Sequence, residues 1–148
     1  MLGAIVCRRG LWMCCAALLL VGPVACRRGP SVDTPPVETI ARTEFTDRIE
    51  NFFEYEPLVP GKKSAFLIHL TDLSDGAPVE KAEVTLMVRG EPAGTATETK
   101  AKVGRVTGIY VAEVTVPAPG RYSVEFHVKT AALDERMVLQ DFSTGGRP

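Results

Sequence analysis

Between Ser64 and Thr130 the chain alternates apolar and polar side chains almost residue by residue, a pattern that only half-buried β-strands satisfy. Tyr122, Val124, Phe126 and Val128 alternate with Ser123, Glu125, His127 and Lys129. Val84, Leu86 and Val88 alternate with Thr85, Met87 and Arg89, and Phe66, Ile68 and Leu70 with Leu67, His69 and Thr71. A period of two puts one apolar row on one face of a strand, whereas a helix would need apolar residues three and four apart. Turn formers separate the runs: Pro60-Gly61, Ser74-Asp75-Gly76, Gly90-Glu91-Pro92, Val103-Gly104 and Pro117 to Gly120. The pattern predicts strands over Glu44–Glu54, Ser64–Leu73, Ala82–Arg89, Gly94–Lys100, Gly108–Val116, Arg121–Thr130 and Met137–Ser143. A short helical turn is expected around Ala131–Glu135. The expected fold is all-β, an immunoglobulin-like antiparallel β-sandwich of about seven strands. Gly120-Arg121-Tyr122 resembles a tyrosine corner, in which the phenol hydroxyl ties down the preceding loop.

Composition narrows the function. The 148 residues carry 17 basic and 18 acidic side chains, well mixed, for a net charge of −1. Nucleic acid is therefore not an expected partner, since binding phosphates requires a clustered basic face. The four cysteines, Cys7, Cys14, Cys15 and Cys26, all precede the strand-forming region. Neither a disulfide framework nor a cysteine zinc site can hold the domain together. Packing must do it.

The first 25 residues read as an export signal. Arg8 and Arg9 precede an unbroken apolar run from Leu11 to Val21, followed by Gly22-Pro23-Val24-Ala25-Cys26. That run is too short to cross a bilayer of roughly 30 Å, and its length suits a signal-peptide core. Small residues before a cysteine resemble a lipobox, which makes Cys26 the expected lipidated N-terminus and lipid anchor. A simple cut after Ala25 and an uncleaved anchor ahead of Arg27 and Arg28 are the alternatives. Residues 26–41 read as a linker, with three prolines between Arg27 and Thr39 and no periodicity. The sandwich is expected over 42–143 and a tail over 144–148.

Three tracts together resemble a known family: Phe52-Phe53-Glu54-Tyr55-Glu56-Pro57-Leu58-Val59-Pro60-Gly61, then Phe66 through Val79, then Gly108-Ile109-Tyr110 with Pro117–Gly120 and Tyr122. They resemble the N-terminal immunoglobulin-like domain of periplasmic adaptor subunits (membrane fusion proteins) of RND-type heavy-metal efflux systems. The resemblance spans Arg42 to Phe142. It implies an envelope protein partner, RND efflux components among the candidates. Such adaptors continue into lipoyl-like and helical-hairpin regions, whereas this sequence ends at Gly145-Gly146-Arg147-Pro148. A stand-alone relative and the front piece of a split adaptor are both compatible with that.

No catalytic motif is present: there is no HExxH, no phosphate-binding glycine loop and no Gly-x-Ser-x-Gly. The expectation is a non-catalytic protein. His69 and His127 are the only histidines, both on the polar rows of their strands, and Met87 and Met137 are the methionines after the signal. Imidazole and thioether suit copper or zinc. Glu54, Tyr55, His69 and Asp72, on adjoining early strands, are the candidate partner- or metal-binding residues, while Asp75 and Gly76 belong to a turn. No bound cofactor is otherwise implied. A stand-alone periplasmic metal-handling sandwich, similar to YtkA-like or CopC-like copper proteins, and a ligand-free structural lipoprotein are the competing readings.

Overall fold

The structure, a computed structural model, describes residues 38–92 and 94–145. The expected signal peptide, the lipidation candidate Cys26, the expected linker up to residue 37 and the last three residues of the tail lie outside the described residues. Nine strands follow in chain order: β1 Ile40–Phe45, β2 Ile49–Tyr55, β3 Lys63–Asp72, β4 Glu83–Glu91, β5 Ala96–Lys100, β6 Lys102–Val103, β7 Ile109–Thr115, β8 Arg121–Lys129 and β9 Asp134–Ser143. They form two antiparallel sheets ordered β1-β2-β3-β7-β6 and β5-β4-β8-β9. The expected all-β sandwich is the observed fold.

Each sheet turns its apolar row inward. Along β8, Tyr122, Val124, Phe126 and Val128 are buried, and along β3 so are Phe66, Ile68 and Leu70. An aromatic cluster fills the centre: Phe53 lies 4.8 Å from Phe126 between ring centroids, and Tyr55 lies 5.1 Å from both Phe66 and Phe142. Burying a side chain of this size stabilises a fold by roughly 2–3 kcal/mol. The cluster is the anchor of the sandwich.

Three expectations are corrected. The single strand expected over Glu44–Glu54 is a hairpin, β1 pairing with β2 from Ile40↔Tyr55 to Phe45↔Glu50. The reversal uses Thr46, whose hydroxyl accepts from the amides of Arg48 and Ile49, both at 3.1 Å. A hydroxyl turn without Gly or Pro carries little sequence signal. Second, Ala131–Glu135 forms no helical turn: Thr130 Oγ1 accepts from Ala132 N and Leu133 N, and β9 already starts at Asp134. Third, β6 is an added short edge strand, so the described strands number nine rather than about seven.

The tyrosine corner is present, with Tyr122 Oη donating to the Ala118 carbonyl at 2.6 Å. A second, fully buried clamp holds the crossing from β3 to β4. Tyr110 Oη donates to the Val79 carbonyl at 2.8 Å and accepts from Ala82 N at 3.0 Å.

Candidate functional site

The four early candidates do not converge. Tyr55 turns inward and is only 4% exposed, and burial pushes its phenol up. It belongs to the core. Asp72 sits at the exposed end of β3, where its Oδ1 accepts from Ser74 Oγ at 2.7 Å and Ser74 N at 2.8 Å. Those bonds hold its carboxyl below the usual carboxylate range. Its own backbone closes the turn, accepting from Gly76 N and donating to the Ala77 carbonyl. Asp72 is a turn residue.

Glu54 and His69 do share a surface, the outer face of the five-stranded sheet. One row across this face runs Thr43, Phe52, His69, Ile109, and the next runs Ala41, Glu54, Leu67, Val111, Lys102. His69 meets the edge of Phe52, ring centroids 5.2 Å apart. Its Nε2 is buried and has no hydrogen-bond partner among the described residues. Phe52, Leu67, Ile109 and Val111 surround it, an apolar patch bordered by Glu54, Lys102 and Glu113. A polar outer row was expected here. The departure was visible in Leu67 and Val111, but only the pairing of β3 with β7 shows that they adjoin.

The outer face of the four-stranded sheet has the opposite character. Its rows are Glu83, Lys129, Asp134; then Lys100, Thr85, His127, Arg136; then Glu98, Met87, Glu125, Val138. A shallow depression of about 240 Å³ is lined by Glu83, Thr85, Met87, Glu125, His127 and Arg136, among others. His127 Nε2 meets Asp134 Oδ1 at 2.7 Å, and this bond holds the Asp134 carboxyl below its usual range. When Nε2–H points to the carboxylate, the lone pair resides on Nδ1. Lys100 Nζ donates to Glu83 Oε1 at 2.6 Å and Arg136 Nη1 to Glu125 Oε1 at 2.6 Å, so both carboxylates are committed. The Lys100 bond lowers Glu83 as it raises the lysine. Met87 and His127 are diagonal neighbours across β4 and β8, a relationship typically about 7 to 8 Å between backbones. Met87 Sδ lies 3.6 Å from Arg89 Nη2.

The depression therefore brings together one imidazole and one thioether, with Glu83 and Glu125 committed to ion pairs and Glu98 also on its wall. Among the described residues, no group of three or more His, Cys, Asp or Glu side chains is arranged to hold a metal ion. A four-ligand zinc centre does not fit this surface. One imidazole and one thioether are donors of the kind that soft ions accept. Sequence reasoning noted His127 and Met87 separately but could not join them, because their proximity depends on the β4–β8 register.

A family model described as YtkA-like matches residues 46–127, more than half of the chain. The chain belongs to the YtkA-like family. The YtkA-like span begins at the β1–β2 turn and ends within β8, so it contains His69, Met87 and His127, whereas Asp134 lies beyond it. No curated protein and no solved structure matches the chain.

Proposed function

We propose that this protein is a non-catalytic metal-handling module working outside the cytoplasm, whose cargo is monovalent copper held by His127 and Met87. The observation that carries the reading is the imidazole of His127, fixed by Asp134 at 2.7 Å, in the same depression as the Met87 thioether. A carboxylate behind a histidine orients the ring and raises its basicity toward a metal. Thioether and imidazole together favour copper(I), which accepts low coordination numbers, over ions that require several oxygen ligands. Loading requires Met87 to turn from Arg89 toward His127, a rotation of a flexible, unbranched side chain at the surface.

Membership of the YtkA-like family supports metal handling over the adaptor reading, although the adaptor-like tracts keep heavy-metal efflux as its setting. The export signal and lipidation at Cys26 would tether the module to a membrane on its Pro-rich linker. The test is competition of the purified full chain against a chromophoric copper(I) chelator. One copper per chain is expected, lost in His127→Ala and weakened at least about tenfold in Met87→Leu. Retention of copper by both variants, or transfer of the loss to His69→Ala, overturns the reading.

A further inference from the structure

We infer that the outer face of the five-stranded sheet is a docking surface for a second copy of this chain, packed about a two-fold axis parallel to the strands. The argument starts from the row Glu54, Leu67, Val111, Lys102, which lies across β2, β3, β7 and β6. It is acidic at one end, basic at the other and aliphatic between. A two-fold axis running between β3 and β7 reverses this order in the second copy. Leu67 then faces Val111 of the other copy, and Glu54 faces Lys102, twice over. The row complements itself, as an isologous interface requires.

Charge commitment within the chain supports the same pairing. The Glu54 side chain makes no hydrogen bond or ion pair among the described residues. Lys102 has only a longer-range attraction to Glu113, whose carboxylate is already bonded to Lys63 at 2.7 Å. On the other sheet Glu83 pairs with Lys100, Glu125 with Arg136 and Asp134 with His127. The neighbouring row on one side adds Phe52, His69 and Ile109, while the row on the other carries Ala65 and Glu113, the latter already bonded to Lys63 on the same face. Two sheets packing in this way would lie aligned with an angle near 30°.

By strand spacing and rise the face offers roughly 400 Å² per copy. Two copies would bury about 800 Å², below the usual range of stable complexes, which makes this a weak, reversible dimer. Molecules sharing one membrane surface gain in local concentration, which such an interface needs. The inference does not depend on the copper reading, because the two faces lie on opposite sides of the sandwich.

The test is site-specific photocross-linking of the full chain in cells, with p-benzoylphenylalanine replacing Leu67, Val111 or, on the other sheet, Thr85. A light-dependent band at twice the chain mass is expected from positions 67 and 111 and not from 85. Glu54→Lys should reduce that band roughly fivefold, and adding Lys102→Glu should restore it, since a reversed pair keeps the attraction. Both charge variants are at exposed or half-buried surface positions, so folding is retained and is checked by circular dichroism. No doubled band, a band of another mass showing a different protein on this face, or a yield indifferent to Glu54→Lys overturns the inference.

Discussion

The guanidinium carbon of Arg42 lies 5.1 Å from the centre of the Phe142 ring, closing the core at the side where β1 and β9 adjoin. The same guanidinium bonds Glu44 at 2.7 Å and Asp141 at 3.3 Å. Asp141 is held at φ 90°, within the irregular stretch of β9 where two residues oppose one on β8. That bulge turns Phe142 inward. The Arg42 guanidinium thus both caps the aromatic cluster and fastens the bulge. Arg42→Ala should lower stability by about 1–2 kcal/mol, through lost cation–π contact and lost cover. Urea denaturation measures it, and Arg42→Lys should recover only part of the loss because a lysine cannot fork to two carboxylates.

Removal of the buried clamp should cost more than removal of the tyrosine corner. Tyr110→Phe strands the Val79 carbonyl and the Ala82 amide in a dry environment, at a cost of about 2–3 kcal/mol. Tyr122→Phe frees a half-buried carbonyl that water can reach, and about 1 kcal/mol is expected. Equal losses in thermal unfolding would contradict the difference in burial.

Asn51 is fully buried on β2 between Ile49 and Phe53, and neither its amide nitrogen nor its oxygen has a partner among the described residues. Desolvating an unpaired amide is unfavourable by about 1–3 kcal/mol. Asn51→Leu, which keeps the γ-branch and removes the polar atoms, should therefore raise stability by up to about that amount. A lower melting temperature in the variant would refute this.

Gly108 adopts φ 77° at the start of β7, and a Cβ there would meet Pro78 Cβ at 2.5 Å. Gly108→Ala is expected to destabilise by about 2 kcal/mol or more, combining left-handed strain with a clash that backbone must relieve. Gly76, with a similar φ of 72° but open space around it, should lose only the strain component on the same substitution. Comparing the two variants by denaturation separates the contributions.

Acid should weaken the fold gradually. Asp134, Asp72, Glu83 and Glu113 are all held below their ordinary values, by His127, Ser74, Lys100 and Lys63 respectively. A carboxyl depressed in the folded state stabilises it at every pH above the unfolded value, and that contribution disappears as pH falls through the folded one. Stability is thus expected to decline from the ordinary carboxylate values, 3.8 for Asp and 4.5 for Glu, downward. These groups are exposed, so each effect is small. Asp134→Asn should flatten the profile in that window, and an unchanged acid limb would argue against the His127 bond.

Much of the fold was legible because a strand's two faces are encoded by a period of two. The inward rows of β3, β4 and β8 could be named from the sequence, residue by residue. The β1–β2 hairpin was not, since β1 directs Arg42 and Glu44 inward and its turn depends on a threonine hydroxyl. Tyr55 illustrates a different gap. Its acidic neighbours Glu54 and Glu56 made it look like surface, yet strict alternation after Ile49 and Phe53 turned it into the core.

Alternation along the chain determined that this protein is all-β and which side chains each strand would bury, and the positions of its four cysteines determined that none could staple the domain. Tertiary structure alone decided which strands lie side by side, and hence that His127 stands near Met87 while Glu54 and Lys102 end the same row. The physical reason is that side-chain period is a local property of one strand. Pairing and register are chosen by the collective burial of residues far apart in sequence.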